Sequence, residues 1–218
     1  MASIFIIIPA HNEQSRISEV IRDAKLYSED VVVVDDGSSD NTKEVSEKSG
    51  AKVLSHIVNM GKGAALKTGC DYAAEKGADT MIVLDADAQH DPHDIPRFIK
   101  ALEGNDIVFG ARKKEKAMPA VLRFGNWVIN TVTKLLFGID MKDTQSGYRS
   151  FTSEAYEKIR WHASDYSMES EMIANVGKKG LRYKEIEIKT VYADRYKGTT
   201  VLDGIKIVMN MFWWRLTR

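Results

Sequence analysis

Three side chains with oxygen atoms follow a short apolar run in the first half of the chain. Asp85, Asp87 and Gln89 come directly after residues 81–84. If the chain stays extended past Leu84, these side chains share one face, because successive side chains of a strand alternate. Carboxylate and amide oxygens suit a hard divalent cation such as Mg²⁺ or Mn²⁺, which leaves positions for water and a diphosphate. The sequence therefore predicts a metal site here, with capping of the next helix as the alternative.

The elements that must position these residues form an α/β pattern. Short β-branched runs that stop in polar turn residues are typical of strands buried on both faces, and they lie at residues 4–8, 31–34 and 81–84. Helical spacing separates them over residues 15–27 and 41–50. This order predicts right-handed crossovers and a parallel sheet.

Polar segments follow each of these three strands. They are residues 9–13, 35–40 and 85–89. Ligands of open parallel sheets bind beyond the carboxyl ends of the strands, so we expect the three segments to converge on one crevice. Further strand patterns at residues 106–110 and 181–191 indicate that the second half is α/β as well.

Two glycines flank a lysine in the segment Asn59 to Gly63. The segment lacks the spacing of a Walker loop, and the pattern from Gly61 breaks the dinucleotide fingerprint at its third glycine. Lys62 is still a candidate phosphate ligand, because glycines permit close backbone approach at the start of a helix over residues 64–76. A plain turn and helix cap explains the same residues equally well.

Composition excludes several classes of protein. The 218 residues carry 31 lysines and arginines and 31 aspartates and glutamates, so no overall basic field exists to bind nucleic acid. The single cysteine, Cys70, forbids an internal disulfide and fits a reducing compartment, which favours a cytoplasmic protein. We expect neither a signal peptide nor a membrane span, because no sufficiently long uncharged apolar run is present. No repeat or flexible linker divides the chain, so a single domain is expected.

Four segments of the first half together resemble the family 2 inverting glycosyltransferases of the glycosyltransferase A fold. They are Ile8-Pro9-Ala10-His11-Asn12-Glu13, Val34-Asp35-Asp36-Gly37-Ser38-Ser39-Asp40, Asn59-Met60-Gly61-Lys62-Gly63 and Asp85-Ala86-Asp87-Ala88-Gln89-His90. Later segments resemble the dolichol-phosphate mannosyltransferase branch of that family. They are Gly110-Ala111-Arg112, Asp143-Thr144-Gln145-Ser146-Gly147-Tyr148-Arg149, Met168-Glu169-Ser170-Glu171-Met172 and Arg195-Tyr196-Lys197-Gly198-Thr199-Thr200. The resemblance covers nearly the whole chain.

The resemblance implies a fold and a function for each part of the chain. The expected fold is a single-domain glycosyltransferase A fold: a mainly parallel, Rossmann-like sheet flanked by helices, with an amphipathic C-terminal helix. One glycosyltransferase domain would span residues 1–218. Within it we expect a nucleotide-sugar-binding half at 1–110, an acceptor-binding half at 111–200 and the amphipathic helix at 201–218.

The resemblance also implies roles for individual residues on the donor side. The base and ribose of a nucleotide-sugar are expected to contact Pro9, His11, Glu13, Val34 and Asp36, with Asp85 and Ala86 nearby. The oxygens at positions 85, 87 and 89 would hold Mg²⁺ or Mn²⁺ on the donor diphosphate.

Three arginines are expected at the phosphates of the donor or the acceptor. They are Arg112, Arg123 and Arg195. One segment departs from the mannosyltransferase pattern, which ends in Gly-x-Ser-Lys: this chain has Gly198-Thr199-Thr200-Val201. GDP-mannose and a UDP-sugar therefore both stand as candidate donors.

The expected acceptor is a polyprenyl phosphate of the dolichol type. A phosphate monoester is already charged at neutral pH and needs no general base. The residues predicted to carry catalysis are Asp87, Arg112, Arg195 and Glu169. Glu169 or Glu171 would serve as a base if the acceptor were a sugar or small-molecule hydroxyl, and either carboxylate could instead orient an arginine. A nucleotide-sugar-binding protein without turnover is a third hypothesis.

Two segments carry more apolar residues than a small sheet needs. They are residues 119–137 and 201–218. Tryptophans and cations such as Lys134 and Arg215 border their apolar residues, which favours helices that lie in the headgroup layer of a membrane. We therefore predict a peripheral contact with the cytoplasmic face of a membrane. Packing on the sheet or on another subunit is the alternative, and the sequence leaves the oligomeric state open.

Overall fold

The computed structural model describes residues 2–112, 120–165, 167–189 and 201–217. Within these residues the chain forms seven strands and eight α-helices. The strands are β1 (Ile4–Ala10), β2 (Val31–Asp35), β3 (Lys52–Ser55), β4 (Thr80–Val83), β5 (Ile107–Arg112), β6 (Arg149–Thr152) and β7 (Tyr183–Ile188). The helices are α1 (Ile17–Ala24), α2 (Thr42–Lys48), α3 (Lys62–Glu75), α4 (Ile95–Leu102), α5 (Ala120–Phe137), α6 (Ser153–Ile159), α7 (Met168–Lys179) and α8 (Val201–Thr217).

The strands form one sheet in the order β3-β2-β1-β4-β6-β5-β7. β1 pairs in parallel with β2 and β4, β2 with β3, and β5 with β7. β6 runs antiparallel to both of its neighbours, β4 and β5. The prediction of a single-domain α/β fold with a mainly parallel sheet is confirmed.

Two strands were missed by the sequence prediction. β3 has four residues at the edge of the sheet, and Lys52 and Ser55 at its ends are exposed. β6 begins with Arg149, a charged residue that is nevertheless buried. Neither strand has the continuous apolar run that is typical of a strand covered on both faces.

Successive side chains of the central strands point into two different cores. Ile7 and Val34 belong to the core that contains residues of α3 and α5 to α8. Ile6 and Ile8 belong to the other core, with residues of α1 and α4. Both faces of the sheet are therefore covered, which leaves the ends of the strands as the place where a ligand can reach them.

The last helix has two apolar faces with different surroundings. α8 packs against α5 and α7, and its residues Ile207, Met211 and Trp214 are buried. Its other face is exposed and also apolar; it consists of Ile205, Met209, Phe212, Trp213 and Leu216. In the part of the chain that the structure describes, no helix combines the length and the hydropathy that crossing a bilayer requires.

Candidate active site

The carboxyl ends of β1, β2 and β4 border a cavity of about 440 Å³, a size that suits a small-molecule ligand. The first half of the chain contributes Pro9, Ala10, His11, Glu13, Asp36, Asn59, Gly61, Lys62, Ala65, Asp85, Ala86, Asp87, Gln89 and His90 to its lining. The second half contributes Arg112, Gln145, Gly147, Asp165 and Glu169. The structure thus places the three polar strand ends around one cavity and closes it with residues from the second half.

The chain turns directly after β4, so the expectation of an extended segment over residues 85–89 is wrong. Ala88 has a left-handed backbone with a φ of 59°. The turn brings Gln89 back to Asp87: its main-chain N–H donates to Oδ1 at 3.1 Å and its side-chain amide to Oδ2 at 2.7 Å. A turn, and not strand alternation, therefore places Asp85, Asp87 and Gln89 in the same cavity lining.

Lys62 joins the two halves of the cavity. Its ammonium lies 2.7 Å from Asp85 Oδ1 and 3.2 Å from Glu169 Oε1. Burial raises the pKa of Asp85, but the charge and hydrogen bond of Lys62, together with contributions from His90 and Arg112, outweigh it and lower that pKa to about 2. Burial lowers the pKa of Lys62, yet the two carboxylates outweigh it and raise that pKa. Asp85 and Lys62 are therefore both charged at neutral pH.

The described lining carries more negative than positive charge. It holds six carboxylates, at residues 13, 36, 85, 87, 165 and 169, and two permanent cations, Lys62 and Arg112. Burial and the nearby charge of Asp85 raise the pKa of Asp87. The negative charge of ionised Asp87 is therefore not balanced by positive charge in its surroundings. An added cation would relieve this repulsion. The excess of negative charge therefore suits the site to a divalent cation.

The oxygen chemistry agrees with that charge balance. Among the described residues, no three His, Cys, Asp or Glu side chains gather closely enough to hold a metal ion. Two carboxylates and the amide oxygen of Gln89 are hard ligands, and Mg²⁺ takes few protein ligands when a diphosphate and water complete its shell. Asp85, Asp87 and Gln89 are accordingly the residues that would hold such an ion.

The glycines on either side of Lys62 accommodate another part of the chain. The main-chain N–H of Gly63 donates to the carbonyl of Ser164 at 2.7 Å. A Cβ on Gly61 would lie 2.4 Å from the same oxygen, and one on Gly63 would lie 2.3 Å from the carbonyl oxygen of Ala163. The close approach is therefore to the chain at residues 163–164, and it brings α7 towards α3. Lys62 and Gly61 also line the cavity, whereas Gly63 is not among its described lining residues.

Asp36 holds the loop that precedes α3. Its Oδ1 accepts from the main-chain N–H of Met60 at 2.9 Å, and its Oδ2 accepts from that of Gly61 at 2.8 Å. The His56 ring nitrogen Nδ1 lies 2.7 Å from Oδ1. Asp36 therefore shapes the cavity wall that it lines, and His11 joins that wall with Nδ1 3.0 Å from the Asp36 carbonyl oxygen.

Val34 is not among the described residues that line the cavity, and the expectation that it contacts the donor stays a prediction. Its side chain is fully buried in the core. It packs so closely on α3 that a Cβ on Gly69 would lie 3.0 Å from Val34 Cγ2. Strand alternation turns this side chain away from the polar strand end.

Among the residues that the structure describes, Arg112 is the arginine that lines the cavity. Its Nε donates to Asp143 Oδ2 at 2.6 Å and its Nη2 to Oδ1 at 3.0 Å, a two-bond contact that orients the guanidinium. Burial raises the pKa of Asp143, but hydrogen bonds and charge from Arg112 outweigh it and lower that pKa. Glu169 or Glu171 was offered as a carboxylate that could orient Arg112 or Arg195, and the structure shows Asp143 on the Arg112 guanidinium.

Two other predicted arginines cannot be placed in the cavity. Arg195 lies outside the described residues. Arg123 lies within α5, and its side chain is outside the described part. Their expected contacts with phosphate stay predictions.

Glu171 holds the chain in the segment before α7 and is absent from the described cavity lining. It is buried, and its Oε2 accepts from the main-chain N–H groups of His162 at 3.1 Å and Ala163 at 2.9 Å. These contacts position the segment that packs on Gly61 and Gly63. Of the two glutamates offered as a base for a hydroxyl acceptor, Glu169 is the one in the described cavity lining, and the base role stays a prediction.

Arg149 is an important residue that sequence reasoning did not single out. It is buried, and its guanidinium donates to the main-chain carbonyls of Ser146 at 3.0 Å, Glu169 at 3.1 Å and Thr144 at 3.3 Å. Burial lowers its pKa to about 10. It ties the loop before β6 to the first turn of α7, and the motif Gly147-Tyr148-Arg149 was its only signal in the sequence.

The fold and the charged cavity at the strand ends define a protein of the glycosyltransferase A class. Residues 5–160 match the model of the family described as glycosyl transferase family 2. The chain belongs to this family and is a glycosyltransferase.

Two curated relatives match almost end to end. A UDP-N-acetylglucosamine–dolichyl-phosphate N-acetylglucosaminyltransferase of Methanococcus voltae is 34% identical over 236 residues, with 95% of this chain and 94% of the relative covered. An undecaprenyl-phosphate mannosyltransferase of Micrococcus luteus is 27% identical, with 98% and 94% covered. Among solved structures, glucosyl-3-phosphoglycerate synthase of Mycobacterium tuberculosis with Mn²⁺, UDP-glucose and phosphoglyceric acid superposes with a TM-score of 0.77. It is 20% identical and covers 98% of this chain and 79% of that one, a likeness of fold.

Proposed function

We propose that this glycosyltransferase moves a sugar, with inversion, from a nucleotide-sugar to a polyprenyl phosphate and requires Mg²⁺ or Mn²⁺. The observation that carries the proposal is the charged cavity at the carboxyl ends of the parallel strands. There Asp85 and Asp87 lie with Gln89 and with the cations Lys62 and Arg112 in one lining. A nucleoside diphosphate needs this combination of metal ligands and cations at the place where an α/β sheet binds its ligands.

Two of the relatives support the two candidate donors. The name of the Methanococcus voltae relative contains UDP-N-acetylglucosamine, and that of the Micrococcus luteus relative contains mannose. The first has the higher identity to this chain. We therefore place a UDP-sugar before GDP-mannose as the donor.

Mg²⁺ or Mn²⁺ at Asp85, Asp87 and Gln89 would neutralise the charge that develops on the departing nucleoside diphosphate. A fold neighbour was solved with Mn²⁺ and a UDP-sugar, which supports this assignment. Arg112, oriented by Asp143, adds a fixed positive charge at the same cavity. Lys62 keeps Asp85 ionised before any ligand arrives.

The acceptor phosphate supplies its own nucleophile. A phosphate monoester has a second pKa near 6, so its oxygen is charged at pH 7 and needs no general base. The structure supports this choice because Glu171 is held by main-chain N–H groups and Glu169 is paired with Lys62. Transfer to a hydroxyl would require Glu169 as base, and it is the alternative that the assay below separates.

We also propose that the exposed apolar face of α8 meets the cytoplasmic surface of the membrane that contains the acceptor. Phe212 and Trp213 on this face are 52% and 64% exposed, and Trp127 of the adjoining α5 is 60% exposed. Exposed aromatic residues beside cations such as Arg215 suit the headgroup layer. The other face of α8 packs in the core, so removing the helix would also disturb the fold.

Changing Phe212 and Trp213 together to serine is expected to abolish flotation with vesicles of anionic phospholipid, because it removes aromatic area that is already exposed. Melting temperature should change little. The matched control changes Leu26 and Ile57, which are 67% and 100% exposed and lie far from α8 in the sequence, to serine. Equal flotation of wild-type protein and the α8 variant would contradict membrane contact through this face.

A transfer assay tests the proposed function. Purified protein is incubated with radiolabelled UDP-N-acetylglucosamine or GDP-mannose, Mn²⁺ and a short polyprenyl phosphate, and the lipid product is counted after extraction. We expect label in the lipid fraction, dependence on Mn²⁺ or Mg²⁺, and no transfer to the matching polyprenol. Transfer to the polyprenol alone would support the hydroxyl alternative, and binding without any transfer would support a non-catalytic nucleotide-sugar-binding protein.

A further inference from the structure

Glu169 is a carboxylate of the cavity whose two oxygens have different surroundings. It lies in the first turn of α7, and its side chain is 4% exposed. The Lys62 ammonium lies 3.2 Å from Oε1. Oε2 is buried and has no hydrogen-bond partner among the residues that the structure describes.

An unpartnered buried carboxylate oxygen calls for a hydrogen-bond donor. Buried polar groups in native proteins are nearly always paired, because an unpaired charged oxygen loses its hydration without compensation. The nearby Arg149 does not supply the bond, since its Nη1 donates to the main-chain carbonyl of Glu169. Lys62 in turn holds Oε1. Oε2 is therefore left to accept from a ligand.

The ligand's chemistry follows from the position of Glu169. Lys62 links Glu169 directly to Asp85, and Asp85 is one of the groups assigned to the donor diphosphate. The diphosphate is rich in acceptors and has no donor at neutral pH, whereas the attached sugar carries several hydroxyls. The acceptor phosphate likewise has nothing to donate.

We propose that Glu169 Oε2 accepts a hydrogen bond from a hydroxyl of the transferred sugar, which makes Glu169 a residue that determines sugar specificity. The inference rests on the proposed function, because it takes the cavity to bind a nucleotide-sugar. It differs from a base role: the hydroxyl belongs to the donor sugar, and no proton is transferred. A site that bonds a hydroxyl strongly rejects the analogue that lacks it, because its own polar group is then left unpaired.

Glu169→Gln separates these roles. The amide oxygen of the glutamine is expected to face the Lys62 ammonium, which places its NH₂ group where Oε2 was. Calorimetric titrations with Mn²⁺ compare UDP with the UDP-sugar that the wild-type protein binds best. We expect UDP affinity to change less than twofold and nucleotide-sugar affinity to fall about tenfold, as for a lost bond to a charged group. Glu154→Gln, on the exposed side of α6, is the matched control and should change neither.

The outcomes distinguish the inference from the proposed function. If wild-type protein binds neither UDP nor any nucleotide-sugar, the proposed function fails and the inference fails with it. Suppose instead that wild-type protein binds both UDP and the nucleotide-sugar. The inference alone is then overturned if the variant loses the same affinity for both ligands, or if it loses affinity for neither. A fall in kcat with unchanged nucleotide-sugar affinity would also overturn it and would assign Glu169 as a base.

A second measurement does not depend on the folding of the variant. Wild-type protein is titrated with analogues of the same nucleotide-sugar that each lack one sugar hydroxyl. We expect one analogue to bind about tenfold more weakly than the parent and the other analogues to bind within about threefold. Equal binding of all the analogues would overturn the proposal.

Discussion

Asp87→Ala is expected to abolish the Mn²⁺-dependent part of UDP binding, with a loss of affinity of about 100-fold or more. Asp87 is the carboxylate of the cavity lining whose pKa burial and the neighbouring Asp85 raise. Removing it deletes a proposed metal ligand and also relieves a repulsion between two carboxylates. The melting temperature of the variant without ligand should therefore equal or exceed that of the wild-type protein. Calorimetric titration with and without Mn²⁺ measures the first effect, and thermal unfolding measures the second.

The control for this variant is Asp79→Ala. Asp79 is exposed and directly precedes β4, whereas Asp87 follows the same strand at its other end. Its removal should leave UDP binding and its dependence on Mn²⁺ unchanged. Full Mn²⁺-dependent affinity in Asp87→Ala would show that the cation, if it binds, is held elsewhere.

Lys62→Met is expected to lower the free energy of unfolding by about 3–5 kcal/mol, because it leaves the buried Glu169 and the half-buried Asp85 without their cation. Methionine preserves most of the length of the side chain and removes only the charge. Asp85 and Glu169 would then repel each other in the lining that they share. Mn²⁺ should recover part of the loss, since a divalent cation can neutralise the freed Asp85. Urea unfolding with and without Mn²⁺ measures both effects.

Lys67→Met provides the comparison on the same helix. Lys67 lies on α3 and is exposed, so its charge interacts mainly with water. We expect its effect on stability to stay within about 0.5 kcal/mol. If both variants unfold at the same urea concentration, Lys62 does not carry the electrostatic role that its contacts suggest.

The central strands could be predicted because they obey a simple rule. β1 and β2 are covered on both faces, so nearly every residue in them is apolar. β6 breaks the rule with a buried Arg149, whose charge is satisfied by carbonyls from a loop and a helix that no local pattern reveals. Contacts between distant parts of the chain place β6 between β4 and β5, antiparallel to both. Strand propensity is a local property and could not predict this position.

The candidate site shows the same division between local and tertiary information. Asp85, Asp87 and Gln89 could be assigned to one cavity from their place after a strand, although the turn at Ala88 was not foreseen. A left-handed backbone is uncommon at alanine, so the sequence favoured an extended chain. The contact of Lys62 with Glu169 joins residues far apart in the chain. The glycines beside Lys62 have the same pattern whether a phosphate or a carbonyl lies against them, so only the structure distinguished the two.

The most direct test of the account is the position of Mn²⁺ in a crystal of this protein grown with UDP and MnCl₂, located by anomalous scattering at the manganese edge. The account predicts one strong peak in the cavity, in contact with a carboxylate oxygen of Asp87 and with the UDP diphosphate. UDP bound in the cavity with no anomalous peak beside it, or a peak away from residues 85–89, would contradict it.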